Sequence, residues 1–147
     1  MNFWDTSALL PLFVEEETTA LLRKIRLDLA DEEIAISTLT PVEFFSALSR
    51  LYRERRASYE VFNEAFSRFQ EQAQICQVVR NMEVMKEKAL RILRVHSLKA
   101  ADALQLAAAF IACSDFTQPT TLVTLDKKLA DAALKEGFKV LPKPNLT

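Results

Sequence analysis

Residues 2–9, Asn2-Phe3-Trp4-Asp5-Thr6-Ser7-Ala8-Leu9, pass from a short strand-like run through an acid into a helical pattern. The same order recurs where residues 33–37 give way to Thr40-Pro41-Val42-Glu43, and where Leu122-Val123-Thr124-Leu125 meets Asp126-Lys127-Lys128-Leu129-Ala130. Outward from these junctions, strand-like runs fall at residues 2–4, 33–37, 75–79, 121–125 and 138–141. Helical patterns fall at 7–13, 16–30, 42–56, 58–72, 82–95, 99–113 and 127–136. The strands are too brief to stand alone, and helices separate most of them. That alternation predicts an α/β fold with a parallel sheet covered on both faces. In such sheets ligands bind beyond the carboxyl ends of the strands. Gly137, the single glycine, follows the last helical pattern and reads as the residue just past a helix end.

With 147 residues, half of them apolar, the chain predicts one domain spanning residues 1–147 with a real core. No stretch approaches the roughly 20 apolar residues of a membrane span, and Met1-Asn2-Phe3-Trp4-Asp5 lacks the basic region of a signal segment. A cytoplasmic protein without a membrane partner is expected. Cys76 and Cys113 are far apart and unaccompanied, as suits two buried thiols of a reducing compartment. A formal net charge of −1 exerts no general pull on nucleic acid. Two local basic clusters exist: Arg50, Arg53, Arg55 and Arg56, then Lys86, Lys88, Arg91, Arg94 and Lys99. Either suits a solvated helix face or a polyanion contact.

Asp102 interrupts Leu98-Lys99-Ala100-Ala101-Asp102-Ala103-Leu104-Gln105-Leu106-Ala107-Ala108-Ala109-Phe110-Ile111-Ala112, a run of good helix formers that is apolar on nearly every face. A carboxylate buried there needs a cation, donors, a metal ion or a raised pKa. Lys99, one turn earlier, offers an ordinary ion pair. Local roles also exist for the other acids. Asp5 and Asp126 each suit a helix N-cap. Thr40 as N-cap, Pro41 at the first helical position and Glu43 two further on fit a capping box.

Their common address changes the weighing. Asp5, Glu43 and Asp126 all stand where a strand ends and a helix begins, and in a parallel sheet those junctions share one edge. Asp102, early in its helix, can point there too. Acids gathered so closely resist ionising together unless a divalent cation neutralises them. Oxygen ligands without His or Cys favour Mg²⁺ or Mn²⁺, and Mg²⁺ commonly binds substrate phosphate. That combination points to phosphodiester chemistry.

The segments Asp5-Thr6-Ser7-Ala8-Leu9, Pro41-Val42-Glu43, Ala101-Asp102-Ala103-Leu104-Gln105-Leu106-Ala107 and Val123-Thr124-Leu125-Asp126 resemble the PIN domain. Their order and spacing are most similar to the VapC-type toxins of toxin–antitoxin pairs, from residue 2 to about residue 141. The resemblance implies a three-layer α/β/α sandwich with a five-stranded parallel sheet, and a metal-dependent endoribonuclease using Mg²⁺ or Mn²⁺. By carry-over, Asp5, Glu43, Asp102 and Asp126 form the acidic site, with Asp5 and Asp102 as direct metal ligands. Ser7 and Thr124 become hydroxyl neighbours of metal or phosphate. Lys99 stands where the family often has Arg, and Gln105 where His is frequent. Water would attack the scissile phosphate in line, leaving a 5′-phosphate and a 3′-hydroxyl.

Five of the ten Phe residues fall between Phe44 and Phe69, on two helical segments. A helix hairpin packed on its own core explains many of them, and surplus aromatic surface would suit a protein contact. The resemblance implies a homodimer, and a small DNA-binding antitoxin that lies over these helices and blocks the acids with a basic side chain. Other phosphate chemistries fit less well. His96 is the sole histidine, which disfavours a pair of His acting as acid and base, and it reads as an ordinary helix-end residue. A receiver-type domain wants an Asp after the third strand, where Arg80-Asn81 stands. A haloacid-dehalogenase-type phosphatase wants a second acid where Ser7 stands. An inactive RNA- or protein-binding module with the same fold is the remaining alternative.

Overall fold

A computed structural model describes residues 1–114 and 120–144. The elements run β1 (Asn2–Trp4), α1 (Thr6–Leu9), α2 (Thr19–Asp28), β2 (Ile34–Ser37), α3 (Thr40–Arg53), α4 (Tyr59–Gln74), β3 (Gln77–Val79), α5 (Met82–Val95), α6 (Ala100–Cys113), β4 (Thr121–Val123), α7 (Lys127–Lys135) and β5 (Lys139–Leu141). All five strands are parallel, in the order β3-β2-β1-β4-β5. The central strand explains the layering. Successive side chains of β1 point to opposite faces: Phe3 packs into the core formed with α5, α6 and α7, and Trp4 into the core formed with α2, α3 and α4. Both are fully buried. The expected three-layer sandwich is thus present, and no described helix is long and apolar enough to cross a membrane.

Several boundaries depart from expectation, each for a local reason. The helix expected at 7–13 is only α1 plus a 3₁₀ turn at Leu10–Leu12, because Pro11 lacks the N–H that a continuing α-helix needs. The helix expected at 16–30 starts at Thr19, whose Oγ1 accepts from the Glu16 N–H at 2.9 Å and donates to the Pro11 carbonyl at 2.6 Å. Ile75 caps α4 and is 77 % exposed, so β3 is shorter than the apolar run. Strand β4 ends at Val123: the Thr124 N–H still reaches the Leu141 carbonyl, and hydroxyls take the two that follow, Leu125 donating to Ser7 Oγ and Asp126 to Thr124 Oγ1. Gly137, at φ 95°, ends α7 in a Schellman motif: its N–H reaches the Leu134 carbonyl and the Phe138 N–H that of Ala133.

Candidate acidic site at the carboxyl edge of the sheet

Asp5 leaves β1 and caps α1, accepting from the Ser7 N–H at 3.3 Å. It is 4 % exposed. Its Oδ2 also accepts from Ser7 Oγ at 2.6 Å and from Thr124 Oγ1 at 3.0 Å. These hydroxyls come from opposite sides of the β1–β4 pair, and Ser7 Oγ in turn receives the Leu125 N–H at 2.9 Å. Every one of these bonds falls on Oδ2; Oδ1 takes none from the described residues. The carboxylate is therefore fixed by one oxygen and leaves the other open.

Glu43 does not form the expected capping box. Leu39 occupies the N-cap without a side-chain hydrogen bond, and Thr40 Oγ1 accepts from the Ser37 N–H at 3.1 Å. Tertiary contacts claim the carboxylate instead: Glu43 Oε1 accepts from Gln105 Nε2 and from Thr6 Oγ1, the latter at 3.5 Å. Gln105 is fully buried on α6, also reaching Thr40 Oγ1 at 3.4 Å, while its own Oε1 has no partner. Asp126 keeps its capping role, accepting from the Leu129 N–H at 2.8 Å.

The Lys99–Asp102 ion pair is absent among the described residues. Lys99 is the exposed N-cap of α6, and Asp102 is half-buried, with no described hydrogen-bond partner. The buried face of α6 begins at Ala103, so the apolar run overstated how deeply Asp102 is withdrawn.

Electrostatics tie the acids together. Burial pushes the Asp5 carboxyl above its usual range, against the Ser7 and Thr124 hydrogen bonds, and the charge of Asp126 adds to the rise. Glu43 is raised by burial and by the charges of Asp5 and Asp102, with Gln105 opposing. Asp102 is raised by burial and by the charges of Asp126 and Asp5, and Lys99 only partly offsets them. Each acid therefore feels at least one other. As they stand, no three or more of the described His, Cys, Asp or Glu side chains close on one point that would hold a metal ion. What fits a hard cation is the donor chemistry: an open Oδ1 on a buried carboxylate, further acids around it and no His or Cys.

Thr6, Thr40 and Gln105 are the contributors that spacing alone did not assign. Gln105 had a signal, being a second polar residue in the apolar run, one turn beyond Asp102. Cys76 and Cys113 are free thiols, only partly buried, and burial pushes both up in pKa against opposing hydrogen bonds. His96 caps α5 and pairs with Glu136.

Comparison with known proteins places these features in context. The PIN domain family matches residues 3–135. A toxin–antitoxin complex from Klebsiella pneumoniae contains a chain of similar structure, with a TM-score of 0.59 and 20 % identity, covering 88 % of this chain and 91 % of that one. The crystal structure of PAE2754 from Pyrobaculum aerophilum aligns with a TM-score of 0.57 and 19 % identity, covering 95 % of this chain and 87 % of that one. No curated protein matches the chain.

Proposed function

The chain belongs to the PIN domain family, typically nucleases, and from that premise we propose that it is an Mg²⁺- or Mn²⁺-dependent endoribonuclease, the toxin of a toxin–antitoxin pair. One observation carries the reading. Asp5, Glu43 and Asp102, from separate parts of the chain, each feel the charge of another acid beyond the strand ends, with Asp126 beside them, and no described lysine or arginine pairs with these acids.

Asp5 and Asp102 would hold the ion, which when bound polarises the scissile phosphate and makes water a better nucleophile. Ser7 and Thr124 orient Asp5 by donating to Oδ2 and oppose the rise in its pKa that burial causes. Glu43, steadied by Gln105, orients the attacking water and accepts its proton. The water oxygen bonds to phosphorus as the P–O3′ bond breaks, and the departing O3′ takes a proton from solvent, leaving a 5′-phosphate and a 3′-hydroxyl. Asp126 would serve a second or water-bridged ion, and Lys99 at the rim would offset phosphate charge. The toxin assignment is supported by the family and by the Klebsiella chain's presence in a toxin–antitoxin complex. Val42, Phe45 and Val61, exposed at 70 %, 43 % and 40 % on α3 and α4, offer apolar surface for a small DNA-binding antitoxin or for a second copy in a homodimer.

The test is direct. Metal-stripped protein should be silent on single-stranded RNA and regain cleavage with Mg²⁺ or Mn²⁺, giving 3′-hydroxyl ends. Equal cleavage in excess chelator would sink the metal dependence, and RNA binding without cleavage under any divalent ion would favour an inactive binding module.

A further inference from the structure

Arg50, Arg53, Arg55 and Arg56 crowd the end of α3 and the turn into α4, in a chain whose formal net charge is −1. All four are exposed. Arg56 meets Glu54 at 3.5 Å, a solvent-exposed pair, and among the described residues the other three have no ion-pair partner. Glu60, in the first turn of α4, is the other acid close in sequence. Two tyrosines stand with them: Tyr52 and Tyr59 are 46 % and 63 % exposed, with ring centroids 6.2 Å apart. At the end of α3 and along the turn that follows lies an open hollow of about 570 Å³, lined by Tyr52, Arg53, Arg55, Arg56, Ala57 and Ser58.

The backbone adds a second observation. Helix α3 ends in a Schellman motif, with the Arg55 N–H on the Tyr52 carbonyl at 3.1 Å and the Arg56 N–H on that of Leu51 at 2.8 Å. Arg55 occupies the left-handed position of this motif at φ 57°, the place Gly137 fills after α7. Glycine suits that conformation and arginine is strained in it. The tip thus carries the arginine side chain at a position where the backbone would be easier with glycine.

Helix α3 also joins this tip to the acids. Arg50 follows Glu43 by seven residues, which sets it on the same helix face about 10 Å along the axis, with Arg53 about 15 Å away. We infer that the α3–α4 tip docks single-stranded RNA a few nucleotides from the cut, with arginines on phosphates and the tyrosine rings on base faces. This rests on the nuclease reading and extends it from the reacting bond to substrate recognition. An acidic protein could use the charge, but two exposed rings beside a charged hollow, at the far end of a helix that carries Glu43 in its first turn, favour RNA.

The test measures binding of a fluorescein-labelled uridine 12-mer to the full-length chain in excess chelator, so that cleavage does not intervene. Arg53→Gln, Arg55→Gln and Arg56→Gln combined should weaken binding about tenfold or more at low salt and make the log–log salt slope shallower by about 2, since each single-strand phosphate contact contributes about 0.7. Lys86→Gln, Lys88→Gln and Arg94→Gln combined remove equal charge from α5 and should leave the affinity within about twofold if the tip is the contact. Arg55→Gly alone should raise Tm yet weaken RNA binding, a split that a merely structural arginine would not give. Equal losses from both triple variants, or wild-type affinity in the tip variant, overturn the inference. So does a tip variant that loses a protein partner while keeping RNA. If wild-type protein cuts RNA and the tip variant still binds normally, the tip falls and the nuclease reading stands. If tip-dependent binding is present but no divalent ion supports cutting, the nuclease reading falls and the tip stands.

Discussion

Glu136 and Asp5 are both acids withdrawn from solvent, and the fold treats them in opposite ways. Burial pushes Glu136 up, but the His96 hydrogen bond at 2.8 Å and the Arg91 contacts at 3.2 and 3.4 Å outweigh it, and its pKa ends below the ordinary value. This acid is satisfied from within, locking the end of α7 to α5. Asp5 has hydroxyl donors and no cation, and its pKa ends above the ordinary value, as do those of Glu43 and Asp102. Where the protein needs an acid for structure it supplies the counter-charge. At the strand ends it gathers acids and withholds one, so the counter-charge has to come from outside.

Removing charge on the two sides should therefore separate activity from stability. Asp5→Asn takes away a proposed ion ligand while keeping the shape; RNA cleavage is expected to fall by about a thousandfold or more, and thermal unfolding of the metal-free protein should not be impaired. A variant retaining full activity would remove Asp5 from the ion site. Gln105→Met acts one contact further out. It deletes the orphaned Oε1 along with Glu43's donor, so cleavage should drop roughly 10–100-fold with little loss of Tm; unchanged cleavage would show that Glu43 needs no steadying. On the other side, Glu136→Gln should cost about 1 kcal/mol, or roughly 2–4 °C in Tm, while cleavage holds. If activity fell and Tm did not, the contrast between the two regions would collapse.

Much of the fold was readable because the strand–acid–helix order is local and repeated: the strand positions, the parallel sheet and the shared edge follow from it. The failures come from contacts that no local window contains. Thr40-Pro41-Val42-Glu43 has the composition of a capping box, but Gln105, 62 residues away, competes for the same carboxylate and wins. Asp102 looked deeply buried because its neighbours in sequence are apolar. Burial depends on where α6 meets the sheet, and its first turn projects past the packed face. Asp5 and Asp126 do cap their helices as the local pattern implies, since an N-cap bond spans only two or three residues.

The pH response works in two directions. Acids whose folded pKa is raised make the metal-free protein lose stability as pH climbs above their ordinary values, 3.8 for Asp5 and Asp102 and 4.5 for Glu43. Glu136 is lowered, so its contribution is present above its ordinary 4.5 and is lost as pH falls through its lower folded value. On raising the pH from about 4, the Tm of metal-stripped protein should therefore fall behind that of protein saturated with a divalent ion, by a gap that widens as the acids ionise.

The decisive measurement is the Tm of metal-stripped protein at pH 7 titrated with Mn²⁺, for the wild type and for Asp102→Asn. A saturable rise is expected for the wild type, equivalent to about 2.7 kcal/mol at a hundredfold excess over Kd. Asp102→Asn should start from a similar Tm and respond weakly. A wild-type Tm indifferent to Mn²⁺, or an Asp102→Asn variant that responds as the wild type does, would contradict the proposal that these acids await a metal ion.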